Sequence, residues 1–195
     1  MHELQFKQIE RICARRGAGG AVLEVGATPD DSSLLNMKCL EGAKEKIGVN
    51  LNGPSKYKDF SIMKCNANSM TCFEDERFDT VLCNSTLEHD KYFWKTISEI
   101  KRVTRRGGLI VIGTPGYAVL PKEKKIKGFL KNLFRAKKFE WIPASTLTLH
   151  VHNYPGDYYR FSAQAFQEVF FEGMKDVEIV THMMPPRIIG TGVKP

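Results

Sequence analysis

The sequence predicts an α/β protein whose mostly parallel sheet is covered on both faces, and three observations carry that reading. Short apolar, β-branched runs alternate with helical patterns from residue 3 to residue 112. The first of these runs, 21–25, ends at Gly26 and is followed by Asp30, Asp31 and Ser32, residues that cap a helix start. The last two β-prone runs, 177–181 and 187–193, are joined only by Met183-Met184-Pro185-Pro186, too short for a crossover helix, so they pair antiparallel.

In chain order, residues 3–16 carry Leu4, Phe6, Ile9, Ile12 and Cys13 near helical spacing, and Gly17, Gly19 and Gly20 end this leading helix. Residues 21–25 form a buried strand with one acid, Glu24. Two readings of that acid stand: a contact to a ligand, or a carboxylate hydrogen-bonded to the following loop. A strand, turn and helix start of this kind leaves backbone N–H groups free for a nucleotide-like cofactor. Residues 32–41 read as a short helix packing Leu34, Leu35 and Leu40, and 46–51 as the second strand, broken by Asn52-Gly53-Pro54-Ser55. Strands follow at 60–64, 78–83 and 109–112. Between the last two lies a helix over 90–105 with Phe93, Ile97, Ile100 and Val103 on one side and a Gly107 cap. A final helix is expected over 162–171, closed by Gly173.

The bulk properties narrow the class. A chain of 195 residues builds one sizeable core. The longest apolar runs fall far short of a membrane span, and 2–16 lacks the apolar centre of a signal peptide, so a cytoplasmic protein is expected. Cys13, Cys39, Cys65, Cys72 and Cys83 form no C-x-x-C pair and read as reduced thiols rather than disulfides or a zinc site. The segment 122–138 carries the whole formal excess of +7, so the basicity belongs to one segment and argues against a nucleic-acid-binding fold. There Ile126, Phe129, Leu130, Leu133 and Phe134 alternate with lysines as an amphipathic basic helix. Its readings are an anionic membrane surface, a lid, an acidic substrate, or simple packing on its own domain.

Four stretches in order resemble the class I S-adenosylmethionine-dependent methyltransferases, in particular the type 11 methyltransferase domain. They are Val22-Leu23-Glu24-Val25-Gly26, Ile47-Gly48-Val49-Asn50-Leu51, Phe78 to Asn84 running into Leu87-Glu88-His89, and Glu99 to Val103 ending in Arg106-Gly107-Gly108-Leu109. The resemblance implies a Rossmann-like doubly wound, mostly parallel seven-stranded sheet whose C-terminal hairpin strand is antiparallel. It implies one domain over 1–195: leading helix 3–16, cofactor-binding core 20–115, basic helix and loop insertion 118–160, C-terminal helix and hairpin 161–195. S-adenosylmethionine is the implied cofactor. Its amino-acid end falls at Glu24, Gly26, Ala27 and Thr28, its ribose at Asn50, its adenine at Leu51, Asn66 and Ala67, with Asn84 and Leu87 at the fourth-strand exit. Asn50 stands about 24 residues beyond Gly26, close to the spacing of a ribose-binding acid.

The chain departs from the family pattern at the turn, where Thr28 and Asp30 replace glycines, and at Asn50 and Asn66, where amides replace acids. An amide lacks the ionised acceptor that makes the stronger hydrogen bonds. Two functions therefore stand: methyl transfer to a small-molecule or lipid- or glycan-linked acceptor, or a catalytically silent relative that binds a ligand or partner. A nicotinamide-dependent oxidoreductase is disfavoured, since no G-x-x-G follows Gly26. For transfer to a hydroxyl, His89 is the candidate general base, or else it only shapes the pocket. Asp157, Tyr158 and Arg160 are implied to meet the acceptor along with His89. His150 and His152 alternate like metal ligands, but with no third ligand loop packing is favoured and no metal is expected.

Overall fold

The computed structural model describes residues 3–117, 156–183 and 186–195. The expected basic helix over 122–138 and the His150 and His152 pair lie outside the described residues. An eight-stranded sheet in the order β3-β4-β2-β1-β5-β6-β8-β7 organises the fold. Its strands are β1 (Ala21–Val25), β2 (Glu45–Asn50), β3 (Ser55–Tyr57), β4 (Phe60–Lys64), β5 (Phe78–Asn84), β6 (Thr104–Pro115), β7 (Lys175–Met183) and β8 (Pro186–Val193). The five strands from β4 to β6 run parallel, and β8 enters antiparallel between β6 and β7, as the short 183–186 link requires.

The leading helix α1 (Glu3–Arg16) has the expected bounds. It buries Ile9 and Cys13 on one face of the sheet with Leu34, Leu35 and Leu40. On the other face, α2 (Phe93–Val103) sets Ile97, Ile100 and Val103 against β1 and β5. A short helix α3 (Ala163–Ala165) follows, capped by the Ser162 hydroxyl accepting from the Ala165 N–H at 3.1 Å. It runs into a π-turn at Phe166–Phe170, whose Phe166 and Phe170 rings lie 4.6 Å apart in the core.

Five sequence expectations change, one of them the single helix over 162–171, which is a three-residue α-helix running into a π-turn. The sheet has eight strands rather than seven, because Ser55–Tyr57 pairs antiparallel with β4 and adds an edge. Residues 32–41 form two 3-10 turns, Leu34–Asn36 and Lys38–Leu40, separated by extended Met37, instead of one α-helix. The N–H groups of Leu34 and Leu35 bond to the Glu24 carboxylate, which fixes the first turn against the strand. The 90–105 helix is shorter: it ends at Val103, where Thr104 turns to extended backbone and pairs with Phe78. Gly107, at φ +72°, serves the irregular start of β6 rather than a helix cap, and its N–H bonds to the Lys194 carbonyl at 2.8 Å. Between β4 and β5 no helix intervenes. Arg102 of α2 holds that connection instead, donating to the carbonyls of Met70 and Phe73 and to the Asp75 carboxylate at 2.9, 3.0 and 2.7 Å.

Candidate functional site

A cleft of about 420 Å³ opens at the C-terminal ends of β1, β2, β4 and β5, the edge where open α/β sheets bind ligands. Gly26, Asn50, Leu51, Asn66, Ala67, His89 and Tyr158, all singled out in the sequence, line it together. Its wall also takes Thr86, Asn68, Asp90, Lys91 and Tyr92. Nothing in the spacing of those residues marked them, because strand exits far apart in the chain bring them together.

The floor is set by a close approach of two strand exits. Gly26 has φ +84°, and a Cβ built there would lie 2.1 Å from the Thr86 Oγ1. Thr86 in turn donates to the carbonyls of Val25 at 3.3 Å and Asn84 at 3.1 Å. Ser85, beside it, holds a left-handed φ of +51°. Its N–H bonds to the Gly113 carbonyl and its hydroxyl accepts from Arg187, which together hold this uncommon conformation.

Glu24 lies beneath the turn and does not line the cleft. Its carboxylate accepts from the Ser33 hydroxyl at 2.5 Å and from the Leu34 and Leu35 N–H groups at 3.1 and 3.4 Å. Burial pushes its pKa up to about 7 against those bonds. Of the two readings left open by the sequence, the structure displays the loop-bonded acid. Ala27 is buried among Val22, Leu34 and Leu35. Thr28 and Asp30 point to Ser32, through a 3.3 Å hydroxyl contact and a 2.7 Å bond from the Ser32 N–H, and neither lines the cleft. The Asp30 carboxyl, held below its ordinary pKa first by the Ser32 side chain, thus caps its own turn.

The two asparagines are built into the walls. Asn50 donates from Nδ2 to the Ala27 carbonyl at 2.9 Å, a bond a carboxylate cannot make, and accepts the Asn52 N–H at 3.1 Å. The amide thereby ties the end of β2 to the turn after β1. Asn50→Asp sets an acceptor against that carbonyl, and we expect it to lower stability by about 1–3 kcal/mol, read as a lower thermal unfolding midpoint. Asn66 accepts the Asn68 N–H at 3.0 Å and turns the chain so that Asn68 donates to Asp90 at 2.6 Å and to Thr96 at 2.8 Å. This bridge closes the cleft between the β4 and β5 exits. Ala67 offers its backbone N–H with no hydrogen-bond partner among the described residues.

Other expected contacts sit behind the wall. Asn84 accepts from Gln5 of α1 at 2.6 Å, and Leu87 is wholly buried in the core. Asp157 and Arg160 form a two-pronged ion pair at 6% and 7% side-chain exposure, away from the cleft lining. They hold their segment so that Tyr158 enters the cleft, and the N–H of Tyr158 bonds to the Glu88 carbonyl at 2.8 Å. Glu88 is fully buried, and burial raises its pKa to about 7 against the pull of Arg187 and Arg160. Its Oε1 lies 3.9 Å from the His89 Nε2.

The family model described as a methyltransferase domain, type 11, matches residues 32–112, beginning just after the altered turn. No curated protein matches the sequence. Among solved structures, the chain is similar to an S-adenosylmethionine-dependent methyltransferase from Archaeoglobus fulgidus, with TM-score 0.67 and 16% identity over 98% of this chain and 94% of that one. It is similar to the N-methyltransferase NodS of Bradyrhizobium japonicum with S-adenosylhomocysteine, with TM-score 0.62 and 13% identity over 98% and 86%. It is also similar to Haemonchus contortus phosphoethanolamine N-methyltransferase 2 with S-adenosylmethionine, with TM-score 0.61 and 13% identity over 96% of this chain and 52% of that one. The resemblance seen in the sequence thus holds, and the fold is that of these methyltransferases.

Proposed function

We propose that the chain is an S-adenosylmethionine-dependent methyltransferase acting on a small-molecule or lipid- or glycan-linked acceptor. One observation carries the reading: Gly26, Asn50, Leu51, Asn66 and Ala67, assigned to the cofactor by their order in the sequence, converge on a single cleft. The residues present fit the group. The left-handed turn at Gly26 leaves no Cβ in the approach to the cleft, and Asn50 Oδ1 keeps a second lone pair for a ribose hydroxyl. The free Ala67 N–H suits a ring nitrogen of adenine, and the exposed Leu51 side chain offers an apolar cover for its face. Glu24, Ala27, Thr28, Asn84 and Leu87 shape this site from behind.

When bound, the cofactor supplies a methyl group activated on a sulfonium, so positioning and exclusion of water carry much of the rate. The chain's part is to aim the acceptor and take its proton. His89 on the cleft wall is the proposed general base for a hydroxyl acceptor, with Tyr158 beside it and Asp157 and Arg160 holding Tyr158 in place. We expect His89→Ala to keep cofactor affinity and slow turnover roughly 100-fold, and an unchanged rate would assign His89 to pocket shape alone.

Release of S-adenosylhomocysteine across a panel of amine and hydroxyl acceptors, free and lipid-linked, tests the function. Turnover with one acceptor class supports it. Cofactor binding without release across the panel would favour a silent binding module.

A further inference from the structure

Six large apolar or aromatic side chains are exposed among the described residues: Leu51, Tyr92, Trp94, Tyr117, Tyr158 and Val169. Leu51, Tyr92 and Tyr158 belong to the cleft lining. Trp94 does not, yet it stands edge-on to the Tyr92 ring at 5.8 Å and is itself 50% exposed. The aromatic surface therefore continues outward past the cavity, which a small ligand held in the cleft leaves unexplained. Two cations sit on it, the Lys91 ammonium 5.3 Å from the Tyr158 ring centre and the Lys95 ammonium 5.2 Å from that of Tyr92. The neighbouring acid does not offset them outward: Asp90 accepts bonds from Asn68, Thr96 and the Tyr92 N–H.

We propose that this rim, Lys91, Tyr92, Trp94, Lys95 and Tyr158, docks the protein on an anionic lipid surface, with the cleft facing the bilayer. Amphipathic Tyr and Trp rings flanked by lysines suit the headgroup zone, where one end of a ring is wet and the other apolar. Charge favours the same partner. Tyr117 follows Gly116, which bridges Phe161, whose ring packs 4.9 Å from that of Phe93. Gly156 stands two residues before Tyr158. The stretch between Tyr117 and Gly156 includes 122–138, which carries the whole formal excess of +7 in the sequence, and a chain of that sign favours an anionic partner. The proposal rests on the methyltransferase reading only in taking the cleft as the entrance for an acceptor.

The chain has two tryptophans, so Trp141→Phe leaves Trp94 as the single reporter. The full chain carrying that change is mixed with vesicles of equal parts phosphatidylcholine and phosphatidylglycerol, and with vesicles of phosphatidylcholine alone. Sedimentation with the anionic vesicles only, reversed by high salt, is expected, along with a blue shift of Trp94 emission and quenching by brominated acyl chains. Lys95→Glu, with Trp141 restored, should weaken vesicle binding by about 5-fold or more, and Trp94→Ala should weaken it too. Neither residue lines the cleft, so both variants should keep the affinity of the parent for S-adenosylhomocysteine. No sedimentation, an unshifted Trp94 emission in the bound state, unweakened binding by the two variants, or loss of the vesicles to competing RNA would overturn the proposal. A failed cofactor titration would instead count against the methyltransferase reading and leave the vesicle result standing.

Discussion

Gly26→Ala is expected to abolish the proposed cofactor binding and to cost the fold about 3 kcal/mol or more, because two separate penalties meet at that position. The backbone there is left-handed, at φ +84°, which disfavours any side chain by roughly 1–3 kcal/mol. The new methyl group would also fall 2.1 Å from Thr86 Oγ1 and 2.9 Å from its Cγ2. Crowding of that kind costs about 1–3 kcal/mol more. Thr86 cannot simply rotate away without cost, since its hydroxyl ties the Val25 and Asn84 carbonyls together. Adding Thr86→Ala to Gly26→Ala should recover part of the crowding and none of the backbone strain. Denaturant unfolding of the two single variants and the double variant reads this out as a stability higher than additivity allows. Strict additivity would mean that the two exits do not press on each other.

Glu24→Ala is expected to cost about 3 kcal/mol or more at pH 5, with a smaller loss at pH 8. The change leaves the Ser33 hydroxyl and the Leu34 N–H without their acceptor in a buried site and the Leu35 N–H with the Ser33 hydroxyl alone at 3.3 Å, which loosens the 3-10 turn at Leu34–Asn36. The pH dependence follows from the raised pKa. In the folded chain Glu24 holds its proton up to about pH 7, against an ordinary value of 4.5, so the native state binds more protons than the unfolded chain between those limits. The stabilisation tied to that proton is complete below the ordinary value and falls away as pH rises toward 7, by about 3 kcal/mol at most. Glu88, raised to about 7 by its own burial, adds a slope of the same sign. Glu24→Gln should flatten its share of the slope while keeping an acceptor for Leu34. Unfolding free energies of the three proteins from pH 4.5 to pH 8 check this, and a parent stability that rose across that window would contradict the sign.

Much of the fold was legible because its central strands are short apolar runs that cannot be placed elsewhere, and because the 183–186 link is too short for a crossover. The eighth strand was not legible. Ser55-Lys56-Tyr57 is polar, and the turn to β4 runs through Lys58 at φ +49° instead of a glycine or asparagine, so neither the strand nor the hairpin carried its usual sign. The 3-10 turns read as an α-helix since their apolar residues are spaced for one, and side chains reaching from other elements decide otherwise: Glu24 to the Leu34 and Leu35 N–H groups, Lys46 to the Leu35 carbonyl and Glu10 to the Lys38 N–H. Residue order sufficed to bring Gly26, Asn50, Leu51, Asn66 and Ala67 to one cleft. It did not suffice for Thr86, Asn68 or Tyr92, which join the cleft through contacts between strand exits. The meaning of Asn50 was also hidden: a departure that weakens an acceptor in the sequence is a donor to Ala27 in three dimensions.

Calorimetric titration of the purified chain with S-adenosylmethionine, and separately with S-adenosylhomocysteine, shows whether the cleft takes the cofactor. Saturable one-to-one binding at micromolar strength, lost in Gly26→Ala, is the predicted result. A folded parent protein that shows no heat with either ligand at millimolar concentration would contradict it.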